Sequence, residues 1–359
     1  MKIVLTGGGT GGHIAPLSAV ARALSNQQTP PHLHYIGEGS HLEHRMLSCG
    51  DRLLCHSVMS GKFRRYHGDS LWAHLADVPT LTRNARDAVK VMIGFFQSLW
   101  LLLEIRPQVV FSKGGYTALP VGLAAAVLRI RLITHDSDVV PGLTNRVLGR
   151  FAAETACGFP REGSTFTGNP VNPDLRSAPA AGWGSDKPVV MFMGGSSGAN
   201  VINRLVFGNV DRLRERYTIV HITGQADLPK APEPASDYRP YDFVDPATMG
   251  GLLKSADVVL SRAGANAIAD LAACGAAAIL IPGRHMTGGQ QLRNATTVTD
   301  CGAAYLLREE HLDIDSVTEA IDYVYAHQQQ YRRGMEALDR PQAAAELATM
   351  ITGGSNHAS

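Results

Sequence analysis

The sequence lacks the features that mark nucleic-acid binders, disulfide-stapled domains and membrane spans. Its 33 Lys and Arg nearly cancel its 32 Asp and Glu, so no overall field exists to gather nucleic acid or a broad anionic surface. Any attraction to a membrane must be local. The five cysteines, Cys49, Cys55, Cys157, Cys274 and Cys301, are odd in number and lack CxxC spacing, which argues against a disulfide framework and a thiolate zinc site. Buried, reduced thiols are the expectation. No charged n-region, long apolar h-region or small-residue cleavage site precedes Ile3, Val4 and Leu5, which points to the cytoplasm. The longest uncharged apolar window, Val91 to Leu103 ("VMIGFFQSLWLLL"), falls well short of the roughly 20 residues a spanning helix needs.

What is present is a rhythm. Short β-branched runs ("KIVLT", "LHYIG", "QVVFS", "LITHD", then "VVMFMGG", "TIVHITG", "DVVLSR", "AAILIPG") alternate with longer stretches rich in alanine and leucine, the pattern of βα units around parallel sheets covered on both faces. The 359 residues are enough for two domains. Glycine, proline and small polar residues cluster in "CGFPREGSTFTGNPVNPDLRSAPAAGWGSDKP", where a linker belongs. Beyond it, "VVMFMGGSSGANVINRL" restarts the strand, glycine turn and helix of "KIVLTGGGTGGHIAPLSAVARAL". The prediction is an α/β chain of two Rossmann-like parallel-sheet domains facing each other across a cleft, residues 1–163 and 164–335. A C-terminal helix and tail over 336–359 is expected to pack back on the first domain.

Gly7, Gly9 and Gly12 satisfy GxGxxG, which alone is a weak signal because such turns also arise for steric reasons. Five glycines nevertheless exceed what one left-handed position requires. Without Cβ atoms the backbone N–H groups can approach a ligand closely, and a helix starting near Ile14 aims its positive end at the same space. A phosphate, pyrophosphate or developing oxyanion fits such a place. Gly194, Gly195, Ser196, Ser197 and Gly198 form a second turn of this kind, with two hydroxyls able to bond phosphate oxygens. Two such turns imply a diphosphate substrate held by one domain and an acceptor held by the other. At the rim of the first turn, His13 should titrate below the ordinary value of about 6.5, because the helix end disfavours imidazolium. That makes it a neutral general base, the alternative being a histidine that merely caps its own helix.

In order along the chain, "GGGTGGHIAP", "SKGGYTALP", "GLTNRVLGRFA", "GNPV", "MGGSSGANVIN", "SADVVLSRAGANAIADLAACG" and "GGQQLRNA" resemble the MurG family of cell-wall N-acetylglucosaminyltransferases over roughly residues 1 to 350. The resemblance implies a GT-B fold with an acceptor- and membrane-side N-terminal domain and a UDP-N-acetylglucosamine-binding C-terminal domain. It implies inversion at the sugar C1 with no metal and no cofactor, and a lipid-linked N-acetylmuramoyl-pentapeptide as acceptor, in peptidoglycan synthesis at the cytoplasmic face of the membrane. Carried onto this sequence, Thr10, Gly11, Gly12 and His13 face the diphosphate and the reacting centre, and Asn145 joins them. Ser196 and Ser197 take the diphosphate, and Arg262 and Gly264 lie near phosphates and sugar. Val244 and Met249 border the uracil, and Gln290, Gln291 and Asn294 reach the sugar hydroxyls. His135 and Asp136 stand in reserve as the base.

Three stretches depart from the family. Asp270 stands where glutamate usually accepts both ribose hydroxyls, and its shorter arm should loosen that grip. His135, Asp136, Ser137 and Asp138 replace His-Glu-Gln-Asn, so a carboxylate that only accepts replaces an amide that donates. Asn172 follows "GNPV" where an arginine is usual, which removes a positive charge near the donor. "HDSD" also reads as a DxD metal tripeptide, but "DID" at Asp313 to Asp315 has the same form at an ordinary helix entry.

On a helical wheel Met92, Phe95, Phe96, Leu99 and Leu103 form a stripe, and Val91, Ile93, Trp100, Leu101 and Leu102 extend it to much of the other side. Met92, Phe95, Phe96, Leu99 and Trp100 are the expected membrane patch, the alternative being an internal helix. Lys62, Arg64, Arg65, Arg83, Arg86 and Lys90 lie near enough to pair with anionic headgroups, at about 1 kcal/mol for each close basic residue. Three rival functions use parts of the same pattern: a nucleotide-sugar epimerase, a dinucleotide oxidoreductase with Glu38 on the ribose, and a non-catalytic UDP-sugar-binding membrane partner.

Overall fold

The computed structural model describes residues 1–9, 11–40, 43, 47, 53–62, 78–194, 199–284 and 289–353. The chain divides into two compact units, Met1–Pro170 with Gln342–Ser359, and Val171–Pro341. Each is a doubly wound parallel sheet.

In the first unit the strands are β1 (Lys2–Thr6), β2 (His32–Gly37), β3 (Leu53–Ser57), β4 (Val109–Ser112), β5 (Arg131–Asp136), β6 (Glu154–Cys157) and β7 (Thr165–Phe166). Their order is β3-β2-β1-β4-β5-β6-β7, with every pairing parallel. The helices are α1 (Gly11–Ser25), α2 (Val78–Ile105), α3 (Ala118–Val127) and α4 (Leu143–Leu148). Because strand side chains alternate, Ile3, Leu5 and Phe111 point to the core layer shared with Leu17 and Leu24, while Val4 and Val110 point to the opposite layer with Leu102 and Val121. Both faces are thus buried, which is why these strands read as continuous apolar runs.

In the second unit the helices are α5 (Pro173–Ser177), α6 (Asn200–Gly208), α7 (Val210–Arg214), α8 (Pro246–Ser255), α9 (Ala265–Cys274), α10 (Gln290–Asp300), α11 (Ile314–Ala326) and α12 (Gln328–Ala337). Strands β8 (Val189–Met193), β9 (Thr218–Ile222), β10 (Tyr238–Tyr241), β11 (Val258–Ser261), β12 (Ala278–Leu280) and β13 (Ala304–Leu306) run parallel in the order β10-β9-β8-β11-β12-β13. Arg176 on α5 makes a two-point bond to Asp339, at 2.6 and 2.7 Å, which ties the start of this unit to its end. The chain then returns to the first unit, where α13 (Ala343–Thr352) packs on α1. Arg131 donates to the carbonyls of Met350 and Ile351 and so satisfies the open end of that helix.

Helix α2 is longer than its uncharged window because two charged turns precede it. By length and composition alone, Thr82–Ile105 would suffice to cross a bilayer. One side of it packs along α3, however, with Gly94, Ser98 and Leu102 buried. A Cβ on Gly94 would sit 1.8 Å from the Met59 carbonyl, so the segment before it crosses the helix there. The expected patch changes accordingly. Phe95 and Leu99 are half-buried against the core, while Met92, Phe96 and Trp100 are exposed and are joined by Val89, Ile93 and Leu103. Lys62, Arg83 and Arg86 are exposed, Lys90 is half-buried, and Arg64 and Arg65 lie outside the described residues. The thiols also depart from expectation. Among the described cysteines Cys157 is buried, Cys274 is half-buried, and Cys55 and Cys301 are exposed.

Candidate active site

In a doubly wound sheet, ligands gather beyond the carboxyl ends of the two central strands, where the strand order reverses. In the first unit those strands are β1 and β4, paired with Thr6 opposite Ser112. In the second they are β8 and β11, paired with Met193 opposite Ser261. Residues 7–9 and 113–117 therefore meet in one unit, and Gly194 and residues 262–264 follow the paired strand ends in the other.

The first turn is crowded from within. Gly7 and Gly9 have φ of +152° and +85°, and a Cβ on Gly9 would fall 2.1 Å from the Tyr116 ring. Tyr35 donates its hydroxyl to the Gly7 carbonyl at 2.6 Å, and Tyr116 donates to Glu38 at 2.7 Å. Part of the glycine signal is thus steric, since the β4–α3 loop lies against this turn. Glu38 is engaged by that tyrosine. Gly11 and Gly12 begin α1, which places the positive end of that helix at this turn. Thr10 lies outside the described residues.

His13 Nδ1 is buried without a hydrogen-bond partner. Its pKa is lowered to about 4, first by burial and then by the Lys113 ammonium, with Asp136 opposing. The imidazole is therefore neutral at neutral pH, for a different main reason than the helix end. His135 is fully buried, and both of its ring nitrogens are taken: Nδ1 accepts from Lys113 Nζ at 2.7 Å and Nε2 donates to the Gly168 carbonyl at 2.9 Å. It has no nitrogen left for an acceptor's proton. Asp136 accepts from the backbone of Asp138 and Gly142 and from Asn145 Nδ2 at 2.9 Å, so the first carboxylate of the DxD reading is turned onto its own loop. Asn145 Nδ2 also donates to the His135 carbonyl, while Asn145 Oδ1 is buried without a partner. Asp138 is half-buried.

In the second unit Gly264 caps α9, whose N-terminus opens beside β11. Arg262 is bound to Glu309 at 2.5 Å, each side chain about one-seventh exposed at 14% and 15%, and it also reaches the Ile281 carbonyl. Asn294 is fully buried and donates to the Ala263 carbonyl at 3.2 Å, so it ties α10 to the loop after β11 instead of reaching outward. Gln291 accepts from the Gly283 backbone at 2.8 Å, and Gln290 is half-buried. Asp245 caps α8 through the Thr248 N–H, and Val244 and Met249 lie half-buried on either side of that cap. Burial pushes Asp270 up to about 7, against the pull of Arg176. Asn172 caps α5 by accepting from the Asp174 N–H, a role that Ser, Thr or Asp fills equally. Ser196 and Ser197 lie outside the described residues.

Three residues escaped the sequence reading. Lys113 was visible only as part of "SKGGY", and Glu309 carried no local signal. Asn203, in the first turn of α6, donates to the Thr223 carbonyl and to Asp227 and accepts from the buried His221, binding the start of the helix to the end of β9.

The glycosyltransferase family 28 N-terminal domain matches residues 3–157, and the C-terminal domain of the same family matches residues 189–358. Among solved structures, MurG from Acinetobacter baumannii superimposes with a TM-score of 0.66 at 22% identity, covering 98% of this chain and 99% of that one. A calicheamicin glycosyltransferase superimposes with 0.68 at 14% identity, covering 100% and 99%. The fold is that of a GT-B glycosyltransferase. The UDP-N-acetylglucosamine–N-acetylmuramyl-(pentapeptide) pyrophosphoryl-undecaprenol N-acetylglucosamine transferases of Shouchella clausii and Lachnoclostridium phytofermentans are each 33% identical to it over 98% of both chains. The chain belongs to that family, MurG.

Proposed function

We propose that the chain transfers N-acetylglucosamine from UDP-N-acetylglucosamine to the 4-hydroxyl of lipid-linked N-acetylmuramoyl-pentapeptide, with inversion at C1, as a peripheral enzyme at the cytoplasmic face of the membrane. The observation that carries the reading is His13, a neutral imidazole with an unused buried nitrogen at the switch point of the first unit. It takes the proton of the attacking hydroxyl. UDP departs as the new bond forms, so charge grows on the diphosphate, and groups aimed there stabilise the transition state more than the ground state. Such groups are the N-terminus of α6 and the Arg262 guanidinium, and the family resemblance gives the same role to Ser196 and Ser197. Asp270 accepts the ribose hydroxyls, Val244 and Met249 flank the base, and Gln290 bonds the sugar.

The membrane placement is supported by α2. Met92, Phe96, Trp100 and Leu103 stand 54–65% exposed on a helix whose other side is packed, and Arg83 and Arg86 are exposed a turn or two before them. Labelled UDP-N-acetylglucosamine incubated with and without a lipid-linked N-acetylmuramoyl-pentapeptide tests the function. Label in the lipid product supports the transferase. Isomerised sugar without acceptor would mark an epimerase instead, and donor binding without transfer would mark a binding partner.

A further inference from the structure

Lys113 takes no proton and holds no substrate group in the transfer. It follows directly on β4 with 1% exposure, and its Nζ donates to His135 Nδ1 at 2.7 Å and to the Ser137 hydroxyl. A buried ammonium persists only where its protons are bonded and opposite charge is near. Burial lowers the Lys113 pKa to about 8, and the opposite charge of Asp136 and Asp138 limits that fall.

The two residues after Lys113 explain what the clamp holds. Gly114 and Gly115 have φ of +85° and +81°. A Cβ on Gly115 would lie 2.2 Å from the Gly8 carbonyl and 3.1 Å from the His13 ring, and one on Gly114 would lie 2.8 Å from the Asn145 amide. The double glycine is therefore wedged between His13 and Asn145. Buried acceptors without partners, His13 Nδ1 and Asn145 Oδ1, stand on its two sides. The Lys113 N–H also donates to the Thr6 carbonyl at 2.8 Å, which ties the wedge to β1.

We propose that Lys113 is a positioning residue for the transfer step: its grip on His135 and Ser137 locks the 135–138 turn to the double glycine and so aims His13 and Asn145, as neutral acceptors, at the incoming hydroxyl. The inference rests on the transfer reading. The charged groups facing His13 are Lys113 from just past β4 and Asp136 from the end of β5, so the ammonium also opposes protonation of the base.

The test is Lys113→Met, with Ser137→Ala as a second variant that keeps the charge. His13 is followed by NMR titration without substrate, and transfer is measured across pH. In Lys113→Met the His13 titration and the acid limb of kcat/KM both move up by about one pH unit, and kcat falls about 10- to 100-fold with donor KM unchanged. In Ser137→Ala kcat falls several-fold at constant donor KM, with the His13 titration unmoved. An unmoved titration and acid limb in folded Lys113→Met overturns the proposal. If that variant does not fold, wild-type kcat in Ser137→Ala overturns it. Absence of transfer by the unmodified protein would defeat the underlying reading, while the His13 titration still reports on Lys113.

Discussion

Arg262 and Glu309, 47 positions apart, form a largely buried ion pair just past β11, and the same Glu309 oxygen accepts the Arg284 N–H. If the guanidinium is to meet a diphosphate, that pair must open. Glu309→Gln removes the competing charge while keeping the shape. Its unliganded Tm should drop, by about 1–3 kcal/mol of stability for a partly buried group left under-bonded, and its affinity for UDP should rise several-fold. Calorimetry and thermal melts read both. An unchanged UDP affinity would show that Arg262 never turns to the phosphates.

His13→Ala should cut turnover by about 10² to 10⁴ with little change in donor KM, as removal of a general base does. Steady-state kinetics with both substrates varied separates this from a binding role, which would move KM and rate together.

Desolvation of its carboxylate pushes half-buried Asp270 up to about 7. Only the ionised carboxylate can accept two ribose hydroxyls, and the protonated form predominates below that pH. Affinity for UDP should therefore rise from pH 6 to pH 8, and Asp270→Asn should bind weakly with no such slope. Isothermal titration across pH checks this, and a flat wild-type profile would take Asp270 out of the ribose contact.

Buried neutral histidines make acid stability fall in a defined window. His13 and His221 are lowered to about 4 and about 3, mainly by burial, from 6.5 in the unfolded chain. Below 6.5 the unfolded chain binds protons that the folded one refuses, so stability is full above that pH and declines as pH falls toward 4 and 3. Tm measured from pH 7.5 to 4 should show the decline, and His221→Asn should lessen its slope.

Phe96→Asp with Trp100→Asp should abolish sedimentation with anionic liposomes, and raised salt should weaken wild-type binding by screening Arg83 and Arg86. Equal bound fractions in the variant and wild type would remove α2 from membrane contact. Phe95→Asp is a poorer test because that ring is half-buried against the core and its loss would unsettle the fold.

The alternation of β-branched runs with alanine-rich stretches determined two parallel sheets, because residues buried on both faces of a strand leave an unbroken apolar signature in one dimension. The glycine turns and the family motifs were legible for the same reason, each being contiguous in the chain. Only the tertiary structure decided which face of α2 is exposed, since its sequence is apolar nearly all round and Phe95 differs from Phe96 only by what packs beside it. The same holds for Lys113 on His135, Arg262 on Glu309 and Asn203 on His221. Each joins residues 18 to 47 positions apart. Strand order, a property of the fold and of no local stretch, brings them within bonding distance.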